Sequence, residues 1–79
     1  MVVRVPNRRA ILRALLCGHR AVRLGTYSWR WLEPWPGKPS LNNQDTSALF
    51  RAGLVGDVDD KEMVLTEMGR VVATQDCAT

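Results

Sequence analysis

The chain has 79 residues, 46% of them hydrophobic and 24% charged, with a formal net charge of +3 at pH 7. A chain this short is one domain that buries only about 60% of the surface exposed when unfolded, so its core is small and each large side chain matters. No apolar run approaches the ~18 residues of a membrane-spanning helix, which excludes that class and leaves an ordinary soluble globule.

The N-terminal MVVRVPNRRAILRALLCG is basic and apolar, but Arg13 interrupts the apolar stretch and no small-residue cleavage site follows, so no signal peptide is expected. Cys17 and Cys77 lie far apart without metal-ligand spacing, and His19 is the single histidine. A zinc site is not expected from that set; two free thiols in a reducing cytoplasm are. The charge is uneven along the chain. Residues 1–40 carry eight basic side chains against Glu33 alone, and residues 41–79 carry three against seven acidic ones. Such polarity suggests one face for polyanions and another that repels them, unless the two halves pair with each other.

In chain order, the first element is a helix. Asn7 is its expected N-cap, Ile11, Leu12, Leu15 and Leu16 form one stripe, and Gly18 stops it. Period two then sets in. Val22 and Leu24 alternate with Arg23, and after Gly25-Thr26 the residues Tyr27, Trp29 and Trp31 alternate with Ser28, Arg30 and Leu32, which reads as a hairpin. The proline-rich PWPGKP marks a loop. A second helix starts near Ser40 or Asn43 and ends at Gly53, with Leu41, Ala48, Leu49 and Ala52 on one face. Phe50 falls off that face, and either meets the aromatic hairpin or stands exposed. LVGDV and EMVLT read as a second hairpin around an aspartate-rich turn. Thr66 then caps a third helix with Met68, Val71 and Val72 on its inner stripe, and TQDCAT is a frayed tail. The expectation is a single α+β domain over residues 1–79, helix–hairpin–helix–hairpin–helix, with flexible ends at 1–6 and 75–79.

Three tryptophans within seven positions, Trp29, Trp31 and Trp35, are all the tryptophan in the chain. Trp29 and Trp31 are expected in the core, since a small domain needs large buried groups. Trp35 sits in the proline loop and is expected to rim a patch with Trp31 and Phe50, where aromatics and nearby Arg30 and Lys38 could stack on bases or anchor a protein.

The stretch ALFRAGLVGDVDDKEMVLTEMGRVVA resembles the C-terminal half of bacterial winged helix-turn-helix domains: a helix ending at a glycine followed by Leu-Val, a hairpin wing, and a Leu-Thr-x-x-Gly-Arg turn into a closing helix. Leu49, Gly53, Leu54, Val55, Leu65, Thr66, Gly69 and Arg70 carry the match. The N-terminal half differs, with the first hairpin and the PWPGKP loop where the family has a short helix. The resemblance implies a small winged-helix-like fold and a DNA-binding protein, such as a transcriptional regulator from a bacterium, phage or mobile element.

On that resemblance, the second helix is the recognition helix and Asn42, Asn43, Gln44, Thr46, Ser47 and Arg51 are its reading residues, because amides bond adenine bidentately and hydroxyl or guanidinium groups reach phosphates and base edges. The same cluster is also what starts and caps a helix. The wing tip, with Asp57, Asp59 and Asp60 beside Lys61, would be repelled by phosphate. Backbone contacts therefore fall to Arg8, Arg9, Arg13, Arg20, Arg23 and Lys38. The alternative partner is a protein docking on the aromatic patch and the acidic wing. The chain offers no catalytic constellation, no calcium loop and no phosphate loop, so neither an enzyme nor a cofactor is expected, and no membrane partner. A homodimer would suit paired half-sites.

Overall fold

The computed structural model describes residues 5–26 and 28–77. Over that range the chain runs α1 (Pro6–Leu16), β1 (Ala21–Arg23), β2 (Trp29–Trp31), α2 (Asn43–Arg51), β3 (Val55–Val58), β4 (Glu62–Leu65) and α3 (Glu67–Cys77). The α+β class and the order helix–hairpin–helix–hairpin–helix are those read from the sequence. The two hairpins join into one four-stranded antiparallel sheet ordered β2–β1–β4–β3. The join is short: Ala21 faces Met63 and Val22 faces Glu62. Tyr27, expected on the aromatic face of the first hairpin, lies outside the described residues, as do 1–4 and 78–79 of the ends expected to be flexible. Pro6 and residues 75–77, also assigned to those ends, are helical.

Both α1 and α2 end in the same way. At α1 the Gly18 amide donates to the Leu15 carbonyl and the His19 amide to Ala14; at α2 Gly53 donates to Phe50 and Leu54 to Leu49. This paired pattern needs a left-handed residue just past the helix, which Gly18 (φ 100°) and Gly53 (φ 75°) supply without a Cβ penalty. The chain is thereby turned sharply into β1 and β3. The start of α1 differs from expectation. Val5 holds the N-cap position with no side-chain bond, Pro6 opens the helix, and Asn7 lies two residues past the cap position, inside the first turn.

The helices cover one face of the sheet, with α1 packed on α3, α2 and β4, and α2 on β3. Ile11, Leu12, Leu49, Leu54 and Met63 are the largest of the fully buried apolar side chains. Trp29 and Trp31 alternate inward around the exposed Arg30, as the period-two pattern requires, and both are core residues. Ala21 stands between Trp31 and Met63 across the strands and is fully buried.

On α3 the inner stripe is Gly69, Val72 and Ala73; Met68 and Val71, expected inside, are 52% and 51% exposed. Gly69 sets this rotation. A Cβ at Gly69 would overlap the Leu54 carbonyl oxygen, so only glycine lets α3 lie this close to the α2–β3 junction. Thr66 caps α3 as expected, its Oγ1 accepting from the Gly69 amide at 3.0 Å while donating to the Gly53 carbonyl at 2.6 Å.

Candidate functional site

The start of α2 is built around Asp45. Asn42 is the N-cap, its Oδ1 accepting from the Asp45 amide at 2.7 Å, and its Nδ2 donates to Asp45 Oδ2 at 2.8 Å. Asn7 of α1 donates to the same oxygen at 2.7 Å and to the Ser40 carbonyl at 2.8 Å, and the Ser40 amide donates back to Asn7 Oδ1. The other Asp45 oxygen accepts from Arg8 Nε at 2.8 Å. Asp45 is 7% exposed. Burial pushes its carboxyl up, but the hydrogen bonds from Asn42, Arg8 and Asn7 outweigh that and hold it below the usual carboxylate range. A charge this covered is tolerable because both oxygens are satisfied. The lock fixes the mutual placement of α1, the 40–42 loop and α2.

On the outer side of the lock lies an open trough of ≈ 650 Å³ lined by Arg8, Asn43, Gln44, Ser47, Ala48, Arg51 and Ala52. Four of the six reading residues expected on this helix are thus brought together on one face. The other two are corrections. Thr46 is 1% exposed, its hydroxyl donating to the Asn42 carbonyl, and the Asn42 amide is taken up by the cap. The buried side of α2 is Asp45, Thr46 and Leu49, with the polar pair bonded inward. Of the expected row, Leu49 is buried and Leu41 packs partly buried against the core, but Ala48 is only half-buried and Ala52 faces outward.

The basic residues separate in the same way. Arg20 makes a two-point pair with Glu62, Nε to Oε1 at 2.7 Å and Nη2 to Oε2 at 2.9 Å. Arg23 donates to the Thr26 carbonyl and to Asp57 Oδ2, with its guanidinium carbon 4.7 Å from the Trp29 ring centroid. These two expected phosphate contacts are committed within the fold. Each of the three pairs, Arg8–Asp45, Arg20–Glu62 and Arg23–Asp57, joins the basic half of the chain to the acidic half. The charge polarity of the sequence is thus partly cancelled by pairing between halves. Arg9 and Arg13 are also engaged in interactions. Lys38 is exposed in the proline-rich loop.

Compared with known protein families, curated proteins and solved structures, the chain matches none. Its site must therefore be read from its own geometry.

The aromatic patch expected from Trp31, Trp35 and Phe50 does not form as an open surface. Trp31 is 6% exposed and its indole N–H donates to the Pro39 carbonyl at 2.8 Å. Phe50 stacks on Trp29, with centroids 5.6 Å apart. Trp35 is half-buried, flat against His19 and edge-on to Trp31. The rings instead clamp the proline loop and α2 to the sheet. At the β3–β4 turn, Asp59 and Asp60 both have left-handed φ (54° and 55°), with the Lys61 amide donating to the Val58 carbonyl. Among the described residues no three His, Cys, Asp or Glu side chains converge as metal ligands, and no helix is long and apolar enough to cross a membrane.

The sequence reading missed the Asp45 lock. The Asn42-x-x-Asp45 spacing is a local sign of reciprocal capping, but nothing local ties Asp45 to Asn7 and Arg8, 38 and 37 residues away.

Proposed function

We propose that the chain is a small cytoplasmic double-stranded DNA-binding protein of winged-helix-like design, acting in transcription regulation, which lays α2 along the major groove. The observation that carries this reading is the single outward face of α2 bearing Asn43, Gln44, Ser47 and Arg51, rimmed by Arg8. Asn43 and Gln44 have the amide geometry that bonds an adenine edge at two points, while Ser47 and Arg51 suit phosphate or a guanine edge. Their place in the first turns and last turn of a helix packed on a sheet is where a groove-inserted helix needs them. The wing, carrying Asp59 and Asp60 at its tip, stays off the duplex. The interface is then narrower than that of a domain with a basic wing, and its salt dependence is correspondingly shallow. The protein-docking alternative loses its main support, because the rings it needed are tied into the core.

The test is fluorescence anisotropy of labelled duplex and single-stranded DNA at two salt concentrations. Salt-sensitive duplex binding that falls for Arg51→Ala and changes sequence preference for Gln44→Ala supports the proposal. Absence of duplex binding at low salt, or a preference for single strands, overturns it.

A further inference from the structure

Arg8 is held in an unusual way for an ion-paired arginine. Asp45 engages it through Nε alone, and neither terminal nitrogen has a partner among the described residues. Its side chain is only 25% exposed, yet neither terminal nitrogen is sealed from solvent. The guanidinium is therefore held from one side by the carboxylate, and Arg8 lines the same trough as Ser47 and Arg51. A free surface arginine loses rotamer entropy when it grips an anion; one already locked by a buried carboxylate does not. Planar guanidinium donors lining the same trough as a second arginine match the tetrahedral oxygens of a phosphodiester.

We propose that Arg8 is a preorganised clamp for a backbone phosphodiester of the bound duplex, and that Asp45 is the positioning residue that aims it. This rests on the DNA reading of α2 and adds to it which side chain grips the backbone and what holds it. The Asn42 and Asn7 bonds complete the device. They occupy the second oxygen of Asp45, so that the carboxylate cannot swing away with the arginine.

The sign of one substitution separates positioning from plain electrostatics. Asp45→Asn removes a negative charge near a polyanion, so by charge alone it should tighten DNA binding. If Asp45 aims Arg8, Asp45→Asn weakens binding instead. The experiment measures duplex affinity by anisotropy across a salt series for wild type, Arg8→Ala, Arg8→Lys, Asp45→Asn and the Arg8→Ala/Asp45→Asn double variant, each first checked by circular dichroism and melting to be folded at the assay temperature. Arg8→Ala is expected to lose about tenfold in affinity and to lower the salt slope by about one. Arg8→Lys, which has no Nε for Asp45 to hold and no planar fork, is expected to lose nearly as much. The double variant is expected to bind no more weakly than Arg8→Ala. Tighter binding by Asp45→Asn, additive losses in the double variant, or full affinity in Arg8→Lys overturns the positioning role while leaving the DNA reading intact. Full affinity in Arg8→Ala overturns the clamp. A wild type that binds no duplex overturns both. Should Asp45→Asn fail to fold, the Arg8→Ala and Arg8→Lys comparison alone decides.

Discussion

His19 lies flat on Trp35, with ring centroids 3.6 Å apart and planes 8° from parallel. The imidazole follows the Gly18 turn of α1 and the indole sits in the proline loop after β2. The stack, with Trp31 edge-on to both rings, therefore pins that loop to the end of the first helix. Trp35→Ala should cost about 1–3 kcal/mol, since a half-buried indole and its stacking partners are lost together. His19→Ala should cost about 0.5–1.5 kcal/mol. Urea unfolding of both variants checks this, and a Trp35→Ala variant as stable as wild type would show that the stack contributes nothing to the fold.

Among the glycines, Gly69 is the one where an added Cβ would collide with backbone. Gly69→Ala places a methyl group against the Leu54 carbonyl oxygen, which belongs to backbone held in place by the turn after α2 and by the Thr66 amide. Relief requires α3 to move off the sheet, at a cost of about 1–3 kcal/mol or more. Gain of helix propensity returns only about 1 kcal/mol of that. A melting temperature equal to or above that of wild type would contradict this account.

The β3–β4 turn can be improved. Asp59 and Asp60 occupy left-handed conformations that ordinary L-residues adopt at a cost, and their like charges are adjacent. Asn-Gly is the preferred pair for this turn. Replacing Asp59 by Asn and Asp60 by Gly should raise stability by about 1 kcal/mol, or roughly 4–8 °C in Tm for a domain of this size. Calorimetry of the double variant is the check, and an unchanged or lowered Tm would contradict it.

Acid should unlock α1 from α2. Asp45 has a folded-state pKa below the ~3.9 of an unfolded Asp. Its contribution is therefore fully present above the unfolded value and is lost as pH falls through the folded one. Glu62, held low by the hydrogen bond from Arg20, acts in the same direction, but as an exposed pair it adds little. Between about pH 5 and pH 3 wild type should lose more Tm than Asp45→Asn. Parallel losses in the two proteins would place the acid sensitivity elsewhere.

The amino-acid sequence by itself determined the order of elements. Gly18 and Gly53 end their helices, Thr66 begins one, and the inward alternation of Trp29 and Trp31 follows from the two-residue period of a strand. All of these are interactions between near neighbours, where a residue's own conformational preference or a short hydrogen bond decides the outcome. Tertiary structure decided the rest. Which face of α3 turns inward depends on Gly69 meeting Leu54, so Met68 and Val71 are left outside despite their helical spacing. The join between β1 and β4 made one sheet of two hairpins, and Arg20, Arg23 and Arg8 found carboxylates 42, 34 and 37 residues away. The trough beside α2 exists because Asp45, a residue that local preference assigns only to a helix start, is buried by contact with another helix. Long-range pairing of charges and close approach of backbones leave no periodic trace in a sequence, because their partners are set by the packing of the whole chain.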